Sequence, residues 1–165
     1  VIPGTSDLKL LQRAYAAMQN HLATAWEARD QDLPYNDAYQ ALIMASIIEK
    51  ETGQPSERPL IASVFINRLK KRMLLQTDPT VIYGMGPQFD GNIRKTDLQR
   101  DTPYNTYTRA GLPPTPIAMP GLAAIQAALN PADSNALYFV AKGDGSHEFS
   151  ANLNDHNRAV NKCQR

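Results

Sequence analysis

Apolar residues at helical spacing predict that the first part of the chain forms helices. The first predicted helix carries its apolar residues at intervals of three or four and continues towards Trp26, namely Leu8, Leu11, Tyr15, Met18 and Leu22. Thr5 or Ser6 can cap it, and a polar stretch over residues 30 to 34 ends it. A second helix is predicted from about residue 36 to residue 52, where Gly53 can end it as the residue after the last turn.

A third predicted helix begins near Ser56 and ends after the basic cluster at residues 68 to 72. Its apolar face consists of Ile61, Val64, Phe65 and Leu69. Basic side chains are favoured at a helix C-terminus by the helix dipole, so we attribute this cluster to the dipole and not to nucleic-acid binding.

From residue 74 to about residue 120 the periodic pattern stops. Prolines alternate there with Thr, Asn, Gly and Tyr, which predicts a long, mostly irregular Pro-rich region that could contain short strands. Isolated aliphatic and aromatic residues, such as Val81 and Leu112, indicate that the region is packed. Long ordered loops are usually functional, so we expect part of the site here.

The C-terminal part of the chain predicts a helix, a β-hairpin and a last helix. Pro120 opens an Ala-rich helix through Leu129. Residues 136–141 are expected to form a strand, residues 142–146 a turn and residues 147–150 the returning strand. Asn152 or Asn154 can cap the last helix. The pattern predicts one α+β domain over residues 1–165.

Composition narrows the functional classes. Of the 165 residues, 42% are hydrophobic and 20% are charged, as in one soluble globular domain, and the net charge of +1 gives no electrostatic sign of nucleic-acid binding. The single cysteine excludes an internal disulfide and a zinc motif. His147 and His156 match no metal motif, so neither a metal nor a cofactor is expected. Because the chain opens at Val1 without Met or a targeting segment, we expect it to be a fragment of a longer protein.

The second predicted helix carries two acids that do not share its polar stripe. Ser46 and Lys50 mark that stripe, and most other directions carry Ala, Leu, Ile or Met. Glu49 falls between Leu42 and Ala45, whereas Glu51 falls between the bulkier Met44 and Ile47, beside Ile48. Apolar surroundings and a position in the last helical turn both disfavour a charged carboxyl, as a general acid near neutral pH requires. The alternative is a glutamate that reaches solvent or pairs with Lys50, Arg58 or Arg68.

Two segments of the Pro-rich region could contact sugar. Gln76 and Asp78 can bind hydroxyl groups or hold the acid in place, although Thr77 or Asp78 could simply cap a turn. Residues 104–107 and 111–114 combine aromatic rings with an amide side chain, which suits carbohydrate. The alternative for these residues is a packed loop with buried tyrosines.

Five blocks of sequence closely resemble the MltG-type (YceG-like) endolytic murein transglycosylases. The blocks are residues 45–52 (ASIIEKET), 62–69 (ASVFINRL), 74–84 (LLQTDPTVIYG), 104–107 (YNTY) with 111–114 (GLPP), and 138–141 (YFVA). The resemblance extends from the first helix to Asn157. One departure is Thr115, between two prolines, where family members usually carry Gly. We expect this departure to alter one loop and leave the chemistry intact.

The resemblance implies a lysozyme-like helical catalytic domain with a small β-hairpin and a long Pro-rich active-site region. It implies cleavage of the β-1,4 bond between N-acetylmuramic acid and N-acetylglucosamine in nascent peptidoglycan glycan strands, which leaves 1,6-anhydro-muramoyl ends. The full protein is then expected to have a single-pass inner-membrane anchor and a LysM-like subdomain, both missing here. Its catalytic domain would face the periplasm, with cell-wall synthases as partners.

The resemblance also implies which residues act. The Glu51-Thr52 pair is similar to the Glu-Ser pair that ends the catalytic helix of lysozyme-like transglycosylases, which favours Glu51 over Glu49 as the acid that later acts as base. The expected residues for orienting Glu51 or binding the sugars are Asn67, Gln76, Asp78, Tyr83, Asn105 and Tyr107. Two alternatives stay open: a muramidase-type hydrolase that uses Glu51 with Asp78, and a non-catalytic peptidoglycan-binding module.

Overall fold

The computed structural model describes residues 6–51 and 53–163. The described residues form helices around one antiparallel hairpin, which confirms the α+β class. The helices are α1 (Asp7–Glu27), α2 (Ala38–Glu51), α3 (Arg58–Lys70), α4 (Asp78–Met85), α5 (Lys95–Gln99), α6 (Leu122–Leu129) and α7 (Leu153–Cys163); the strands are β1 (Tyr138–Ala141) and β2 (His147–Ser150). Short 3₁₀ turns at Pro55–Glu57 and Gly86–Gln88 precede α3 and follow α4. None of the described helices has the length and hydropathy that crossing a membrane requires.

Helix α1 begins at a cap that the sequence predicts. The Ser6 hydroxyl accepts a hydrogen bond from the backbone N–H of Lys9 at 3.2 Å, whereas Thr5 lies outside the described residues. Only Met18 and Ala25 of this helix are buried. Leu8 and Leu11 are 64% and 62% exposed, so much of the predicted apolar face does not pack on the described core.

Helices α2 and α6 form the centre of the hydrophobic core. Residues 41 to 48 of α2 are all buried, and α2 packs most extensively against α6, which also contacts α1 and α3. The predicted polar stripe of α2 is wrong at Ser46, which is fully buried. Its hydroxyl donates to the carbonyl of Ile43 at 2.6 Å and accepts from the N–H of Ile117 at 3.0 Å. One hydrogen bond within the helix and one from a distant part of the chain therefore offset the cost of burying this polar group.

The Pro-rich region is more helical than the sequence predicts. Helices α4 and α5 lie where the sequence predicts a mostly irregular segment that could contain short strands, and the described residues form no strand there. Asp78 and Pro79 open α4, since proline and acidic residues are both favoured in a first helical turn. At α5, the Asp97 carboxylate accepts from the backbone N–H of Arg94 at 2.8 Å, which supports the helix start.

The hairpin and α7 close one end of the fold. Strand β1 begins at Tyr138, two residues later than expected, and its register pairs Tyr138 with Ser150. Helix α7 packs on both strands, and the Asn152 side chain accepts from the N–H of Asp155 at 2.8 Å, which identifies Asn152 as the cap. Phe139 of β1 meets Phe65 of α3 edge to face, with ring centroids 5.8 Å apart, so the hairpin is tied to the helical core.

Candidate active site

The C-terminal end of α2 borders a cleft of about 460 Å³. One wall comes from α3 and the other from the hairpin and α7, while residues 76–78 and Tyr107 supply the polar side. The titratable and polar side chains that line it are Glu51, Arg68, Gln76, Thr77, Asp78, Tyr107, Tyr138, His147 and His156. The cleft is concave and polar, with one acid from a largely buried helix in its lining, which are properties of a small-molecule or glycan site.

Glu51 is held in this cleft by a hydrogen bond from a distant part of the chain. The hydroxyl of Thr77 donates to Oε1 of Glu51 at 2.9 Å. Burial raises the pKa of Glu51 above its ordinary value, and the negative charge of Asp78 raises it further, while the Thr77 hydrogen bond and the nearby His147 partly offset the rise. Among the described residues, no basic side chain forms an ion pair with Glu51. The site therefore favours a carboxyl that keeps its proton towards neutral pH.

Glu49 occupies a different environment, although it lies only two residues earlier. Its Oε1 accepts from the backbone N–H of Gly121 at 2.7 Å, at the start of α6. Glu49 does not line the cleft. The structure thus gives the two acids separate contacts: Glu49 links α2 to α6, and Glu51 faces the cleft.

Three of the six residues expected to orient Glu51 or bind sugar line the cleft beside it. These are Gln76, Asp78 and Tyr107. The Tyr107 hydroxyl donates to Oδ1 of Asp78 at 2.5 Å, and burial together with this hydrogen bond raises the pKa of Tyr107. Gln76 has a positive φ of 53°, which is strained for a residue with a side chain and is frequent at functional sites.

The other three expected residues lie outside the cleft lining. The amide of Asn67 donates to the carbonyls of Ser134 and Ala136 at 2.8 and 2.9 Å, which joins α3 to the segment before β1. The amide of buried Asn105 donates to the carbonyls of Leu98 and Arg100 at 3.0 and 2.7 Å, and its oxygen accepts from the N–H of Tyr107 at 2.8 Å. Asn105 therefore orders the loop that presents Tyr107.

Tyr83, the last of the six, is 47% exposed and packs against Tyr104, with ring centroids 4.9 Å apart. Gly84 allows this approach, since a Cβ there would lie 3.0 Å from the Cβ of Tyr104. The Tyr104 hydroxyl pairs with that of Thr115 at 2.7 Å, outside the cleft lining, so the Thr115 departure lies in this loop.

Sequence reasoning missed several residues of the cleft. The sequence indicates only a turn cap at Thr77, and the spacing of His147 fits no metal motif. His147 and Glu57 form a largely buried pair in which Nδ1 of His147 lies 2.9 Å from Oε1 of Glu57, while the backbone N–H of His147 donates to Oε2 at 3.0 Å. The sequence predicts Arg68 either as part of a basic helix end or as a possible partner of a surface glutamate, whereas its side chain is buried in the cleft wall and forms no ion pair with Glu51. Thr77 and Arg68 lie within the five blocks, whereas His147 lies outside them and has no such signal.

Comparisons with known proteins agree on one family. The sequence profile of the YceG-like family matches residues 1–162. The chain is 49% identical over 124 residues to an endolytic murein transglycosylase of Bacillus subtilis (strain 168), which covers 75% of this chain and 34% of the relative. It is 35% identical over 174 residues to an endolytic murein transglycosylase of Streptococcus pneumoniae serotype 2 (strain D39 / NCTC 7466), which covers 97% of this chain and 31% of the relative.

A solved structure agrees with the fold. The crystal structure of a yceG-like protein from Listeria monocytogenes matches with a TM-score of 0.67 and 47% identity, over 73% of this chain and 38% of that chain. The chain spans about a third of the length of the curated relatives it matches.

Proposed function

This chain belongs to the YceG-like family, and from that premise we propose that it is the catalytic domain of an endolytic peptidoglycan lytic transglycosylase. The environment of Glu51 supports the proposal most strongly. Its carboxyl lines the cleft, accepts a hydrogen bond from Thr77 and has a pKa raised by burial. A carboxyl with a raised pKa keeps its proton towards neutral pH and can donate it to a glycosidic oxygen. The hydrogen bond from Thr77 holds the carboxyl in one orientation.

In the proposed reaction, Glu51 acts twice. Its protonated carboxyl donates to the glycosidic oxygen as the bond from C1 of the muramoyl residue breaks and an oxocarbenium-like state develops. The resulting carboxylate then accepts the proton of the muramoyl C6 hydroxyl, whose oxygen bonds to C1 and closes the 1,6-anhydro ring. No water is consumed and Glu51 ends the cycle protonated, so the reaction needs no second carboxylate, unlike two-carboxylate hydrolysis.

The other expected residues divide into two groups in this proposal. Gln76, Asp78 and Tyr107 would contact the sugars, a role that their position in the cleft lining with Glu51 supports. Asn105 acts through the loop that presents Tyr107, and Asn67 acts through the segment before β1. Tyr83 has an exposed ring that a longer glycan could reach beyond the cleft.

The test measures the products of glycan-strand digestion by mass spectrometry. Cleavage products lighter by one water than hydrolysis products would support the lytic reaction. Glu51→Gln should lower the rate by at least about a hundredfold, as loss of a general acid does, while the matched variant Glu49→Gln should stay close to wild type. Full activity in Glu51→Gln would contradict the assignment of the acid.

Two other outcomes would replace the proposed reaction. Reducing ends among the products would instead indicate a muramidase-type hydrolase, for which Asp78 in the same cleft is the second carboxylate. Binding of strands without any cleavage would indicate a peptidoglycan-binding module.

The proposal extends to the whole protein from which this domain would come. Residues 1–165 would form a single catalytic domain that acts on nascent strands at the periplasmic face of the inner membrane. A single-pass anchor and a LysM-like subdomain would lie in other parts of the protein, and cell-wall synthases would supply the strands. Co-purification of the full protein with a synthase from solubilised membranes tests the partner.

A further inference from the structure

A buried arginine in the cleft wall is held by neutral groups. The guanidinium of Arg68, a residue only 7% exposed, donates from Nε to the carbonyl of Leu137 at 2.7 Å and from Nη1 to the carbonyl of Leu74 at 2.8 Å. Nη1 also approaches Oε1 of Gln76 at 3.4 Å. These contacts fix the plane of the guanidinium group but do not neutralise its charge.

No carboxylate in the described part of the chain lies within 4.0 Å of Arg68 to balance that charge. Nη2 makes no hydrogen bond to a described residue and is not among the atoms sealed from solvent, so it remains accessible in a residue that lines the cleft. Burial lowers the pKa of Arg68, which reflects the cost of keeping a desolvated positive charge without a partner. An anionic group entering the cleft would reduce that cost.

Two aromatic side chains extend this arginine into a binding surface. The guanidinium carbon of Arg68 lies 4.9 Å from the ring centre of Tyr138. The ring of His156 stacks on the ring of Tyr138, with centroids 4.8 Å apart and planes inclined by 21°. Nδ1 of His156 is buried and has no hydrogen-bond partner among the described residues.

The pKa of His156 is set by the same surroundings. Burial and the positive charge of Arg68 lower this pKa, which favours the neutral form of the imidazole. Arg68, Tyr138 and His156 all line the cleft that contains Glu51, and we call them the Arg68 cluster.

We propose that the Arg68 cluster is the subsite for a carboxylate carried by the lactyl substituent of the muramoyl residue. The inference rests on the proposed function, because it takes peptidoglycan as the substrate. The muramoyl lactyl group carries either a free carboxylate, on peptide-free strands, or a stem peptide with its own carboxylates. Both sources present the same chemistry to a planar guanidinium with a free N–H edge. Glu51 and Asp78 are the acids of the same cleft, and neither forms an ion pair with Arg68.

The test compares substrates that differ only in these carboxylates. Peptide-bearing strands and peptide-free strands are each used untreated and after conversion of the carboxylates to methylamides, and kcat/KM is measured for each. Amidation should lower kcat/KM of the wild type about tenfold or more, mainly through KM, because a charge-assisted contact is lost. The strand type that shows the loss identifies which carboxylate binds. Unchanged kcat/KM after amidation of both strand types would overturn the proposal.

Variants of the cluster test the same point from the protein side. Arg68→Gln should lose the difference between untreated and amidated strands, and Arg68→Lys should keep part of it because the charge remains. Lys70→Gln removes an exposed charge from the same helix and should keep the full difference. A full difference in folded Arg68→Gln would refute the role of Arg68. If Arg68→Gln does not fold, because it loses the contacts to two carbonyls, the wild-type substrate comparison still decides.

Failure of the proposed function gives a different result from failure of the subsite. If the wild type cuts none of the strands, the proposed reaction is wrong, and the subsite is then tested by calorimetric titration with muramoyl disaccharide. Weaker binding of the amidated disaccharide by about tenfold would support the subsite, and equal binding of both forms would overturn it.

Discussion

Replacing Thr77 with valine should move the pH dependence of the reaction upwards. The substitution keeps the shape of the side chain and removes the hydroxyl that donates to Oε1 of Glu51 at 2.9 Å. That hydrogen bond favours the charged carboxylate, so its loss raises the pKa of Glu51 further above the ordinary value. Because Glu51 must carry a proton to act as acid, activity should persist to higher pH in Thr77→Val.

The size of the change follows from the strength of the hydrogen bond. A hydrogen bond to a charged group contributes about 1.5–3 kcal/mol, and about 1.4 kcal/mol corresponds to one pH unit. Glu51 is partly exposed, so water can replace some of the lost donation. We therefore expect the alkaline limb of the kcat/KM profile to shift to higher pH by about one unit. The maximal rate should be lower, because the carboxyl is no longer oriented.

The assay is the rate of anhydro-product formation across the alkaline limb for wild type, Thr77→Val and a matched variant. Thr80→Val also removes a buried threonine hydroxyl, but that hydroxyl bonds to the carbonyl of Thr77 and to Thr106, both at 2.9 Å, and not to Glu51. Its alkaline limb should stay where it is in the wild type. An alkaline limb of Thr77→Val that stays in place or moves to lower pH would refute the reasoning.

Three further substitutions test the electrostatics and the packing around α2. The folded-state pKa of Glu51 is raised, so the stability that its protonated form provides at low pH is lost as the pH rises through that pKa. At neutral pH the free energy of unfolding of Glu51→Gln should therefore be about 1 kcal/mol higher than that of the wild type. This difference in the free energy of unfolding should close near the ordinary glutamate pKa of about 4.3. If urea denaturation gave the same difference at neutral pH and near that pKa, the direction of the effect would be wrong. Asp78→Asn removes a charge that raises the pKa of Glu51, so the alkaline limb of its kcat/KM profile should move to lower pH; a limb that does not move would argue against that coupling. Ser46→Ala leaves the buried N–H of Ile117 without its acceptor and should lower the free energy of unfolding by about 1–3 kcal/mol, whereas Ser63→Ala, which loses only a bond within its own helix, should cost less; equal losses would be inconsistent with this account.

The regular elements could be predicted where periodicity extends over several turns. Helix α2 and the hairpin follow directly from apolar spacing and from the turn residues between the strands. Helices α4 and α5 are eight and five residues long, so they offer too few periodic positions to distinguish them from packed loops. The fold class was predictable, whereas α5 and α4, the short helix that begins at Asp78 beside the cleft, were not. The likeness to lysozyme stays a prediction from the family resemblance.

The sequence by itself determined that two glutamates end a buried helix, and the helical wheel treats them almost alike. Only the tertiary structure separates their surroundings: Thr77, 26 residues along the chain, donates to Glu51, and Gly121, 72 residues along, donates to Glu49. The physical reason is that helical periodicity assigns each side chain a direction, but the pKa of a carboxyl depends on the groups that other elements place in that direction. The same reason applies to Arg68, whose sequence neighbours indicate a helix end and whose spatial neighbours place it in the wall of the cleft.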